Sequence, residues 1–99
     1  MNKQKFEKVI RKEERECDGY FYVYELVESK GRRMADFGVH LYSFRVSLTD
    51  SNGQTKTAEA KDVFSSKRKA TEFFDKIVKN LATPIDLKYV VEDEITVQI

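Results

Sequence analysis

Two dipeptides constrain this chain more than anything else in it. Asp18-Gly19 and Asn52-Gly53 join residues that tolerate positive φ, which a tight hairpin turn requires. Runs that read as strands border both. Tyr20-Phe21-Tyr22-Val23-Tyr24-Glu25-Leu26-Val27 is rich in aromatic and β-branched residues and suits a strand buried on at least one face. Before it, Lys3 to Glu16 is charged and open to two readings. Phe6, Val9 and Ile10 fit the stripe of a short helix or a solvated strand. The hairpin turn that follows favours the strand.

A polar loop from Ser29 to Arg33 leads to a second long strand, from about Phe37 to Thr49. There His40, Tyr42, Phe44, Val46 and Leu48 point one way, and Phe37, Val39 and Leu41 the other. Either both faces are covered at its start, or a bulge near Leu41 to Ser43 switches the phase. After the Asp50-Ser51-Asn52-Gly53 loop, Thr55 to Phe64 pairs back. Its Thr, Ala and Lys residues suit a wetter place near an edge.

The remainder reads as two helices. Ser65 or Ser66 can cap the first. Ala70, Phe73, Phe74, Ile77, Val78 and Leu81 recur at three- and four-residue steps. Thr83 is a candidate cap for the second, with Pro84 at the first helical position and Asp86 near the positive helix end. Leu87, Val90, Val91 and Ile95 form its apolar stripe. Strands followed by helices indicate an α+β fold: an antiparallel meander of about four strands with both helices packed on one sheet face.

Length and composition exclude several classes. The 99 residues fit one domain, residues 1–99. Lys and Arg number 18 and Asp and Glu 17. A dedicated nucleic-acid binder usually shows a clear basic excess, so any such role here needs a local patch. No apolar run approaches the roughly 20 residues of a membrane span, and the first residues lack the apolar stretch of a signal peptide. Cys17 is the single cysteine, which points to a reducing, cytoplasmic setting and excludes a disulfide framework. With one histidine, His40, and one cysteine, there is little material for a catalytic constellation. The expectation is a non-enzymatic chain with no catalytic residue, cofactor or metal.

Several segments carry a family resemblance. Phe37-Gly38-Val39 matches a Tyr-Gly-Ile-type strand motif, and Val63-Phe64-Ser65-Ser66 a hydrophobic–Ser turn into a helix. Asn80-Leu81-Ala82-Thr83-Pro84-Ile85-Asp86-Leu87-Lys88-Tyr89-Val90-Val91-Glu92-Asp93 fits a closing motif Leu-x-x-Pro-x-x-Leu-x-x-Val-hydrophobic-Glu-Asp. Together these resemble a family of small bacterial proteins, mostly clostridial, known only as a domain of unknown function. Position 37 has Phe where that family tends to have Tyr, and Tyr89 stands where Asp is common. The resemblance supports the N-terminal strand and implies no activity or ligand. Separately, Ser66-Lys67-Arg68-Lys69-Ala70 resembles the start of the last helix in double-stranded RNA-binding domains, which grips phosphates. Glu72-Phe73-Phe74 and the helix from Pro84 depart from that fold.

Two surfaces stand out as candidates. Tyr20, Tyr22 and Tyr24 alternate on one strand face. If the helices cover the other face, they form an open stripe suited to a protein partner or stacked bases; otherwise they line the core with hydroxyls at its rim. Lys67, Arg68 and Lys69 oppose the dipole of the helix they open, and Glu92, Asp93 and Glu94 do the same at the end of the next. An antiparallel helix pair would bring the two clusters within roughly 8 Å, as an interhelical charge network or as an anion site at the helix start. His40 reads as structural or partly exposed, Cys17 as a bland thiol. The leading expectation is a protein-interaction domain, with a homodimer through the sheet edge or open face as one form. The alternative is a nucleic-acid-binding module using Lys67, Arg68 and Lys69 with Lys30, Arg32 and Arg33. One continuous open face holding tyrosines and basic cluster favours nucleic acid; separation favours protein.

Overall fold

A computed structural model of the protein describes residues 6–30 and 40–97. Four strands, β1 (Phe6–Cys17), β2 (Tyr20–Lys30), β3 (His40–Thr49) and β4 (Thr55–Phe64), precede two helices, α1 (Lys67–Lys79) and α2 (Pro84–Val97). The sheet runs β1-β2-β3-β4 with every neighbouring pair antiparallel. This is the α+β meander that the turn dipeptides and the helical periodicity imply. Asp18 and Gly19 take φ of 55° and 84°, so β1 folds directly onto β2. The ambiguous N-terminal stretch is therefore strand over its described part. Phe37, Val39, Arg32 and Arg33 lie outside the described residues.

Strand alternation sets which side chains meet the helices. Tyr22, Tyr24 and Leu26 of β2 pair with Leu48, Val46 and Phe44 of β3. Tyr24, Leu26, Phe44 and Val46 share one buried cluster with Phe73, Phe74 and Ile77 of α1 and Leu87 and Val91 of α2. Both helices thus lie on the same sheet face. Phe44, Phe64 and Phe73 meet edge to face, with centroids 4.9 to 6.1 Å apart, a geometry that adds to plain burial.

Two irregularities adjust this plan. Val9 pairs with Val27 but Arg11 with Leu26, so Ile10 is an extra residue, and it rests against the core. Arg11 then stands on the helix side, its guanidinium 5.0 Å from the Phe74 ring centre and 3.0 Å from the Asp75 carboxylate. At the other edge, Tyr42 pairs with Phe64 but Phe44 with Ala60. There β4 uses Lys61, Asp62 and Val63 opposite Ser43 alone. Asp62 takes a left-handed φ of 54°, and its N–H donates to the Ser43 hydroxyl at 2.8 Å. The irregularity thus belongs to β4, and β3 keeps its phase. Its beginning is covered on both faces: Tyr42 is buried on the helix side and Ser43 on the other, beside buried Val27 and Ser29.

The helix ends follow their sequence signals. The Ser66 hydroxyl accepts the Lys69 N–H at 3.2 Å. Thr83 and Asp86 form a reciprocal capping box, each side chain accepting the other's N–H at 3.2 Å. Leu81 departs from the expected stripe. It sits past the end of α1 at φ 52°, where the Leu81 N–H donates to Val78 O and the Ala82 N–H to Ile77 O. That is a Schellman closure with Leu in the place usually given to Gly. The buried stripe of α1 ends at Val78.

Candidate interaction surface

The tyrosine stripe lies beneath the helices and is graded along β2. Tyr20 is 43% exposed and Tyr24 is 0% exposed. Tyr22 is half-buried, its ring parallel to that of Tyr24 at 6.2 Å. The Tyr24 hydroxyl donates to Ala82 O at 2.9 Å, fixing the turn between the two helices to the sheet. Tyr24 therefore cannot belong to a binding surface. Its face is the interior one because the phenol satisfies the helix–helix turn while its ring fills the core. Burial drives its pKa well above the ordinary phenol value.

The basic cluster opens α1, with Lys67, Arg68 and Lys69 all exposed. The Arg68 guanidinium pairs with Glu72 one turn on, at 3.1 Å. Of the three acidic residues ending α2, Glu94 turns back toward α1. It meets Lys76 at 3.3 Å in a cleft that Arg68 and Lys69 also line. Glu92 lines a groove beside β4 instead, and Asp93 is exposed. An interhelical charge contact exists, with Lys76 as the cation that meets Glu94, two turns beyond the expected cluster. Consecutive helical residues point in different directions, so Glu92 to Glu94 do not act as a unit. Among the described residues, no three His, Cys, Asp or Glu side chains are grouped to hold a metal ion.

At the end of β2, Glu28 gathers two partners. It accepts the Tyr42 hydroxyl at 2.8 Å, and its Oε2 lies 3.4 Å from His40 Nδ1. Lys8, Ser29 and Lys30 complete this open cavity. His40 is part-exposed, as its strand position suggests. Burial, then the hydrogen bond and charge of Glu28, push the Tyr42 phenol up to about 12 from its usual value of 10. The sign follows from linkage. Below about pH 10 the phenol is neutral in folded and unfolded chains alike, and its contribution is whole. As pH rises from 10 through 12 the unfolded chain loses this proton first, so stability falls. Tyr24 acts in the same direction. Chemical denaturation followed across this range should show the decline, and Tyr42→Phe should make it shallower. An unchanged slope in the variant would contradict the assignment.

Over β3 and β4 the outer sheet face is polar. Arg45 joins Glu25 at 2.9 Å and Glu59 at 3.4 Å across three strands. Below it Ser47 meets Thr57 at 3.0 Å and Thr49 meets Thr55 at 2.8 Å. These ladders satisfy their own groups, while Phe21 and Val9 on the same sheet face stay 41% and 44% exposed.

The helix layer differs. On α2, Leu87 and Val91 are buried, yet Ile85 is 69% and Tyr89 61% exposed. A spacing of four places these two on one face, turned from the core. Ile95, expected in the buried stripe, is 43% exposed. A helix apolar on opposite faces is usually covered on both. Sequence reasoning stopped at the inward stripe, although Ile85 and Tyr89 at i, i+4 were the available signal for a second one.

A family model described as a family of unknown function (DUF6514) matches residues 3–97. No curated protein and no solved structure matches the chain. The matched span takes in all four strands and both helices, and the chain belongs to DUF6514, a family of unknown function.

Proposed function

We propose that this chain is a small, non-enzymatic bacterial domain of the cytoplasm that binds a macromolecular partner, and that the partner is a protein. The observation carrying this reading is the outward apolar face of α2, with Ile85 and Tyr89 on a helix already anchored by Leu87 and Val91. Exposed aromatic and aliphatic side chains set among charged neighbours are characteristic of protein contacts. The single thiol of Cys17 fits a reducing compartment. No helix among the described residues is long and apolar enough to cross a membrane.

A nucleic-acid surface asks for bases stacked on aromatic rings beside a basic groove. Here Tyr24 is interior, and Arg68 and Lys76 are each held by a carboxylate. Fluorescence-anisotropy titrations against duplex RNA, duplex DNA and single strands, at low and physiological salt, test the choice. Flat titrations are expected throughout. Micromolar binding with a steep salt slope, lost on exchanging Lys67, Arg68 and Lys69 for Gln, would overturn the protein reading.

A further inference from the structure

The edge strand β4 and helix α2 frame a groove of about 320 Å³. Ala58, Glu59, Ala60, Pro84, Leu87 and Val91 line it. The strand residues are three in succession, and Glu59 points to the opposite sheet face, where it meets Arg45 at 3.4 Å. Successive strand side chains alternate between faces, so the strand's own edge forms the groove wall. That edge carries backbone N–H and C=O groups available for pairing, because β4 is bonded only to β3.

The two sheet edges are not equivalent. Most side chains of β1 from Glu7 to Glu16 are charged, a composition that resists edge-to-edge pairing. On β4, the helix-side positions Ala58 and Ala60, opposite Val46 and Phe44, are small and uncharged. They leave room for a neighbouring strand with its own helix above it.

We propose that this groove is a homodimer interface, in which β4 of a second copy pairs antiparallel to β4 about a two-fold axis beside Glu59 and sets the two α2 helices side by side. This names the partner for the protein-interaction reading above and rests on it. The occupant follows from charge order. Lys88 and Glu92 flank the groove one turn apart on α2, and both are exposed. A two-fold axis crossing between them sets Lys88 opposite Glu92 of the second copy, twice. The same axis points Ile85 toward Ile95 of the second copy and places Ala58 opposite Ala60 on the strands. The two Glu59 carboxylates near the axis each keep their own Arg45. An isologous contact must be self-complementary in this way. A continuous sheet of two copies also removes the open edge and covers the flank of α2 that carries Lys88 and Glu92.

Sedimentation velocity over a wide concentration range tests the proposal. The wild-type chain is expected to move from monomer to dimer as concentration rises. Lys88→Glu and Glu92→Lys should each weaken the dimer about tenfold, since each reversal sets like charges opposite one another at two places. The double variant should recover the wild-type behaviour. Both residues are exposed, so circular dichroism and Tm should stay near wild type. In a Cys17→Ser chain, Glu59→Cys should form a disulfide-linked dimer, while Asp75→Cys on α1 should not. A wild-type chain that stays monomeric, or a double variant no better than the singles, overturns the homodimer. A monomer that admits a foreign strand at β4 would also overturn it and leave the interaction reading standing. Nucleic-acid binding would remove that reading whatever the oligomeric state.

Discussion

Phe44→Ala is expected to lose about 3–5 kcal/mol of stability, the cost of emptying an aromatic site in a packed core. Phe44 is fully buried and touches Phe64 at the end of β4 and Phe73 of α1. Its removal leaves a void shared by two strands and a helix, and no single one of them can move to close it. Domains of this size have only about 5–15 kcal/mol in total. Urea unfolding should therefore show a much lower midpoint with an unchanged slope. A loss below about 1 kcal/mol would contradict the packing described, because only a site free to collapse behaves so.

Tyr24→Phe is expected to cost about 1–3 kcal/mol, although it deletes one oxygen. The Ala82 carbonyl accepts the Tyr24 hydroxyl, and without it that buried acceptor loses its partner. The ring remains, so the cost is the hydrogen bond and not the packing. Since Ala82 precedes the cap of α2, the variant should also raise amide exchange in the first turn of α2 more than in β2. Uniform loosening of both elements would assign Tyr24 a packing role alone.

Much of the fold was legible because local chemistry dictated it. Asp18-Gly19 takes the positive φ that its residue types permit, and Thr83-Pro84-Ile85-Asp86 spells its own capping box. Aromatic and β-branched residues marked β2, alternation marked β3, and the adjoining turns drew β1 and β4 into the sheet. What stayed hidden depends on contacts distant in sequence. The facing of Tyr20, Tyr22 and Tyr24 was open because an alternating strand has two equivalent readings until the helices choose a side. The extra residues at Ile10 and at Lys61 to Val63 were invisible for a similar reason. A bulge is defined by the partner's register, and Asp62 carries no mark of its left-handed backbone.

The candidate surface was legible in part. Lys67, Arg68 and Lys69 are exposed as expected, but the acidic residue that returns, Glu94, meets Lys76. A helix-hairpin estimate assumes parallel axes, and α2 packs against β4 with its own core stripe of Leu87 and Val91. The same displacement toward β4 creates the groove at Ala58 and Ala60. Two alanines on an edge strand read in sequence only as a wet strand, and acquire meaning once a helix stands beside them.

The most direct test of the account is hydrogen exchange of the β4 and β1 edge amides, measured at low and high protein concentration. The outward amides between Thr57 and Lys61 are expected to gain protection as concentration rises, while the outward amides of β1 exchange at a constant rate. Equal, concentration-independent exchange at both edges would contradict it.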